Sequence, residues 1–140
     1  FLNVHVDFNW NAKLRAWRRI NVLFYLTQDW QEEWLGNLEF WSEDGQTADK
    51  SICPFFNRVV VFNTNSKSYH GQPTPVSPLA TRPRCVFSAF FYTTDRDENT
   101  DPVPHYTRYA GSSNKRFAHF DYSRWEQSIV DDYLKTLKAE

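Results

Sequence analysis

Four things are scarce in this 140-residue sequence: cysteine, basic clusters, long apolar runs and glycosylation sequons. The two cysteines, Cys53 and Cys85, are too few for a disulfide framework, and their spacing fits no zinc motif. They are expected to be buried free thiols. No secretory pattern opens the chain and no Asn-x-Ser/Thr occurs. Together with the few cysteines, this points to a reducing, cytoplasmic compartment. No apolar stretch approaches the ~18 residues of a membrane span, which excludes a helical membrane protein. Net charge is −1 and no basic run exceeds Arg18-Arg19, so the stripe needed to track nucleic acid is missing.

Aromatic residues are abundant instead: 12 Phe, 7 Tyr and 6 Trp make up 18% of the chain. Such flat, bulky side chains suit a β-rich fold with large residues inside and at a mouth. The length fits one domain. Strands are expected at residues 2–8, 18–26, 37–41, 58–63 and 84–92, from alternation or from apolar, β-branched runs. Residues 42–51 are polar, contain Gly45, and read as loop. Residues 72–83 hold four of the seven prolines and read as a rigid, irregular connection. Residues 93–121 have no period and carry Pro102 and Pro104. A helix is expected over 123–139, with Ser123 and Glu126 as a capping box and Trp125, Ile129, Tyr133 and Leu137 on one face.

Short strands followed by one helix point to an antiparallel sandwich or barrel, with the jelly roll as the leading architecture. Five or six strands fall short of its eight. The chain also opens at Phe1 in apparent mid-strand. Both suggest that the polypeptide, and part of its barrel, continues on the N-terminal side.

Strand geometry gives the first chemical signal. Alternate residues of a strand face the same way, so His5 and Asp7 present an imidazole and a carboxylate side by side. That suits two adjacent positions on one metal. Alone it is weak, because four histidines and 17 acidic residues make such a pair common. A third ligand has to come from elsewhere. His70, after a strand and a turn and before Gly71, can return beside the pair; the alternative is an ordinary turn histidine. His105 and His119 lie in the polar tail, where solvation is usual. Arg84 opens the apolar strand RCVFSAFFY, and a charge pointing inward there needs a carboxylate partner. The alternative is an arginine at a strand edge in water. If Tyr25 faces inward, Leu23 and Asn21 share its face, either as ligand-binding groups or as ordinary core residues.

The order of these features resembles the Fe(II)/2-oxoglutarate oxygenases of the prolyl-hydroxylase-like superfamily. It runs from His5-Val6-Asp7 through Val22–Leu26 and Gly36–Trp41 to Pro54–Phe62, His70-Gly71 and Arg82-Pro83-Arg84, over residues 1–95. The resemblance implies a mainly β, cupin-like double-stranded β-helix over 1–95, a loop or lid over 96–121, and a C-terminal helix, 122–140, packing on the core. It implies a facial triad of His5, Asp7 and His70 holding Fe(II). The co-substrate 2-oxoglutarate is expected to pair its distal carboxylate with Arg84, with Arg82 as the competitor. Tyr25, assisted by Asn21, is expected to hydrogen-bond that carboxylate. Thr27, Leu35 and Val86 stand where relatives commonly carry Asn, Gly and Ser, although Ser88 shares the face of Val86. Asp7 argues for hydroxylation rather than halide transfer, since halide-transferring relatives replace this carboxylate with a small residue. The implied activity is a dioxygenase that hydroxylates an unactivated C–H bond of a protein side chain or small molecule with O2, releasing succinate and CO2. Phe8, Asn9 and Trp10 are expected at the substrate mouth. A cupin-like metal protein that does not use 2-oxoglutarate and a non-catalytic binding module are the rivals. The last helix can pack on the barrel or on a second copy as a homodimer.

Overall fold

The first strand, β1 (Leu2–Val6), enters the interior at once, with Val4, His5 and Val6 buried. The computed structural model describes residues 1–97, 99, 101, 103–110 and 122–138, with side chains in the last range described for 127–136 and 138. After β1 come β2 (Trp10–Asn11), β3 (Ala16–Tyr25), one 3-10 turn (Glu32–Trp34), β4 (Leu38–Trp41), β5 (Ala48–Ile52) and β6 (Val59–Asn63). Then follow β7 (His70–Gln72), β8 (Val86–Thr93), β9 (Arg108–Tyr109) and α1 (Tyr122–Leu137).

Every strand pairing among the described residues is antiparallel. One sheet runs β5-β4-β7-β1-β9; in the other, β3 pairs with β2, β6 and β8. Neighbours distant in sequence, such as β1 with β7 and β3 with β8, give the crossed connections of a jelly roll. The sheets face each other: Phe40 of β4 meets Phe62 of β6 edge-on at 5.0 Å. Tyr25, Leu38 and Val60 form the core between them. Residues alternate across the pleat, so Tyr25 is fully buried and Asn21 nearly so, with Leu23 packed on the same cluster. The opposite face of the same sheet is apolar too, with Val59, Val61, Phe87 and Phe91 exposed on it. This two-sided apolarity explains why these strands read as unbroken hydrophobic runs.

A second cluster, Trp10, Trp17 and Ile129, joined by Tyr106 and Tyr133, seats α1 on the barrel. The rings of Trp10 and Trp17 each meet Tyr133 about edge-on, at 4.9 and 5.4 Å. The expected helix is therefore present, over Tyr122–Leu137 rather than 123–139, so that Ser123 falls inside it instead of capping it, and it packs on the core. The side chains of Ser123, Trp125, Glu126 and Leu137, and all of His119, lie outside the described residues.

Several expectations change. The segment 42–51 is not all loop, because Ala48–Ile52 pairs with β4 as an edge strand. That strand's residues are exposed up to Ile52, which alone packs on the core, so the pattern is too weak to betray a strand and the ladder makes it one. The tail after β8 is tied down where it is described. Arg108 and Tyr109 pair with β1. Asn9 donates to Asp101 and to the Val103 carbonyl, both at 3.0 Å, and accepts the His105 N–H at 2.8 Å. Asp101 is sealed from solvent and also takes Ser66 and the Arg19 guanidinium. Asn9 and Trp10 thus serve packing rather than a substrate mouth. Neither cysteine is buried: Cys53 is half-buried and Cys85 exposed, because Cys85 turns outward at the entry to β8. Among the described residues, no helix is long and apolar enough to cross a membrane.

Candidate metal centre and its cavity

His5 and His70 are direct cross-strand partners on β1 and β7, so their imidazoles project from the same face, ring centres 4.6 Å apart. This approach depends on Gly71. A Cβ there would lie 2.9 Å from the Val4 Cα and 3.0 Å from the Asn3 carbonyl group, inside the backbone of β1. Asp7 follows β1 by one residue and turns its carboxylate between the rings. His5 Nε2 lies 3.5 Å from Asp7 Oδ1, and His70 Nε2 lies 3.6 Å from Oδ2. The ligand atoms of all three lie within 4.8 Å of one another. Ligands on one face of an octahedral ion stand about 3 Å apart when each bond is ~2.1 Å, so a small inward rotation completes such a face.

The surroundings fix the orientation of each candidate ligand. His5 Nδ1 donates to the Asn3 carbonyl at 2.8 Å, and His70 Nδ1 donates to the Ser68 carbonyl at 2.9 Å. Both Nε2 atoms are thereby left as acceptors facing the carboxylate, the arrangement metal-binding histidines require. Asp7 Oδ2 accepts from Asn21 Nδ2 at 2.7 Å and pairs with Arg18 Nη2 at 3.1 Å. Burial pushes the Asp7 carboxyl up, but His5, His70, Arg18 and Asn21 together outweigh it and hold the group at about 2. Burial, reinforced by the neighbouring His5, pulls His70 below its ordinary value despite Asp7, so its imidazole is neutral and available to a cation at pH 7.

The same cavity, about 200 Å³, continues from the triad to Arg84, past Leu23, Leu38, Phe62, Val86 and Ser88. Tyr25 lies behind the wall beside Arg84, fully buried and outside the cavity lining, and its hydroxyl makes no hydrogen bond of normal geometry. Burial raises the Tyr25 phenol against the pull of Arg84, and burial lowers the Arg84 guanidinium. Among the described residues, no carboxylate pairs with Arg84. A half-buried guanidinium in the cavity wall, with no carboxylate partner among the described residues, fits one carboxylate of a bound dicarboxylate. Arg82, the competitor, is exposed and bonds Asp29 and the Gln28 carbonyl, both at 3.2 Å. Ser88 and Val86 both line the cavity, as their shared face suggested.

Asn21 lies in the cavity wall, but its amide is used at the metal end, on Asp7 and on Arg18 Nε at 2.9 Å. Arg18 itself was missed from sequence. Counting back by twos from Tyr25 puts Arg19 inside, yet the pairing of β3 with β8 slips between Arg18 and Ile20. This bulge at Arg19 turns Arg18 inward and sends Arg19 out to Asp101. Arginine before an apolar strand was the available signal, and the bulge was invisible to periodicity.

Comparison with known proteins adds an independent line. No curated protein matches the chain. The family profile described as the 2OG-Fe(II) oxygenase superfamily matches residues 1–92, which span every residue of the triad and its cavity. That family uses Fe(II) and 2-oxoglutarate. The chain therefore belongs to the 2OG-Fe(II) oxygenase superfamily.

Proposed function

We propose that this oxygenase is a dioxygenase that hydroxylates an unactivated C–H bond of a small molecule or a protein side chain, with release of succinate and CO2. His5, Asp7 and His70 hold Fe(II) in this reading, and Arg84 with Tyr25 holds the distal carboxylate of 2-oxoglutarate. Residues 1–95 carry this site, and α1 braces it. The observation that carries the reading is one cavity with the His5, Asp7 and His70 cluster at one end and, at the other, Arg84, which pairs with no carboxylate among the described residues.

When bound, Fe(II) and 2-oxoglutarate supply the oxidising chemistry that protein side chains lack. The chain's own residues position and shield. Asn21 and Arg18 keep Asp7 ionised and oriented. The carbonyls of Asn3 and Ser68 set the ring tautomers. Leu23, Leu38, Phe62 and Val86 give the cavity apolar walls that limit water around the reacting groups. The persistence of Asp7 fills the position that halide transfer would need open, which favours return of a hydroxyl.

The test is anaerobic addition of Fe(II) and then 2-oxoglutarate to purified protein. A visible charge-transfer band is expected, absent in Arg84→Ala and His70→Ala. Iron binding without a band would replace this reading with the cupin-like one.

A further inference from the structure

We propose that Arg18 is a second carboxylate-binding point, placed at the metal end of the cavity. It rests on the dioxygenase reading and deepens it. The Arg18 side chain is only 5% exposed, and its Cζ lies over two rings, 4.0 Å from the centre of Phe90 and 4.9 Å from that of Phe8. Nε is spent on Asn21 and one Nη2 hydrogen on Asp7. Nη1 has no acceptor among the described residues, yet it is not sealed away, and the space that Arg18 borders is the cavity. A guanidinium has five N–H donors in a rigid fork, so most of this one is uncommitted.

Charge counting points the same way. The cavity wall holds one carboxylate, Asp7, and two guanidiniums, Arg18 and Arg84. Fe(II) and the 2-oxoglutarate dianion cancel, and histidines ligate as neutral imidazoles. One positive charge is left over. It is felt at Arg18, because a dication on Asp7 competes for the carboxylate that pairs with this arginine in the unloaded protein. A buried guanidinium deprived of half its partner favours a second anion, and its planar fork matches a carboxylate. Two carboxylates can reach that place: the keto-acid end of 2-oxoglutarate, or a carboxylate on the primary substrate.

Arg18→Lys separates the sources, since it keeps the charge beside Asp7 and removes the fork; Arg18→Met removes both. Anaerobic titrations read Fe(II) and 2-oxoglutarate midpoints by absorbance. If Arg18 holds the keto-acid end, the 2-oxoglutarate midpoint of Arg18→Lys rises about tenfold or more, while the Fe(II) midpoint moves by less than about threefold. If it holds the substrate, the 2-oxoglutarate midpoint is unchanged. Propanoate then shifts the wild-type band, propanamide of the same shape does not, and Arg18→Lys loses the difference. The proposal is overturned if Arg18→Lys matches wild type in both titrations and in its response to the two probes. It is also overturned if Arg18→Met weakens only iron, which is what a mere support for Asp7 would do. Cobalt(II) absorption gives the propanoate response without 2-oxoglutarate, so the clamp and the dioxygenase reading can fail separately.

Discussion

The two ends of the cavity are built on opposite plans. At the metal end the three candidate ligands already have orienting partners, His5 on Asn3, His70 on Ser68, Asp7 on Asn21 and Arg18, while Arg18 keeps spare N–H donors of its own. At the far end the Tyr25 hydroxyl has no such partner, and Arg84 faces no carboxylate among the described residues. The first end is organised before anything binds and loses little entropy on binding. The second leaves polar groups unsatisfied in the empty protein and recovers that cost only when an anion arrives. Iron and co-substrate binding should therefore respond to different residues, and substitutions at the two ends should have different effects on the stability of the unloaded chain.

The largest expected effect is at the metal end. His70→Ala should weaken Fe(II) binding by about 100-fold or more, measured by anaerobic titration, since two of three ligands do not hold a divalent ion well. Arg84→Ala comes next. Loss of a charge-assisted pair of bonds should raise the 2-oxoglutarate midpoint by about 10- to 100-fold and leave the iron midpoint where it was. A shift in both midpoints together would break the comparison.

Acid should act through the metal end alone. Asp7 is held at about 2 in the folded chain, against about 3.9 for an unfolded aspartate. A carboxylate lowered on folding stabilises the fold fully above the unfolded value, and that contribution is lost as pH falls through about 4 towards 2. It is on the order of 2 kcal/mol. His70, lowered by burial, works in the same direction, its contribution fading as pH falls below its ordinary value. Urea midpoints of the metal-free protein should fall between pH 7 and pH 3, and Asp7→Asn should flatten the decline below pH 5.

The smallest effects belong to the far end and run towards greater stability. Tyr25→Phe removes the orphaned hydroxyl and should stabilise the unloaded protein by about 1 kcal/mol while weakening 2-oxoglutarate several-fold. Leu35 has φ +59° and ψ −145°, a conformation natural to glycine, directly before Gly36, which packs beside Arg84 and Gln72. Leu35→Gly should release strain and raise the thermal midpoint by a few degrees, the equivalent of about 1 kcal/mol.

What was legible in sequence was local or periodic. The spacing of His5 and Asp7, the inward parity of Tyr25, Leu23 and Asn21, and the face of α1 bearing Ile129 and Tyr133 all follow from repeats of 2 or 3.6 residues. The resemblance to a family supplied His70 and Arg84, which no local pattern could join to the first pair. Three things stayed hidden, each for a physical reason. The edge strand β5 is mostly exposed and sends only Ile52 to the core, so its existence depends on the ladder to β4. The bulge at Arg19 reverses the parity that would have pointed to Arg18. The hold of Asn9 on Asp101 and His105 spans more than 90 positions along the chain.

Gly71 carries a consequence for how this site can vary. The separation of the two imidazoles is set by a missing methyl group, with backbone on the other side of the gap rather than a side chain that could swing away. Alanine there would act as a one-carbon wedge, levering β7 off β1 and widening the ligand bite without touching any ligand. Variation that tunes the cavity can accumulate along its walls, but at this one position the smallest possible change already alters which ions fit.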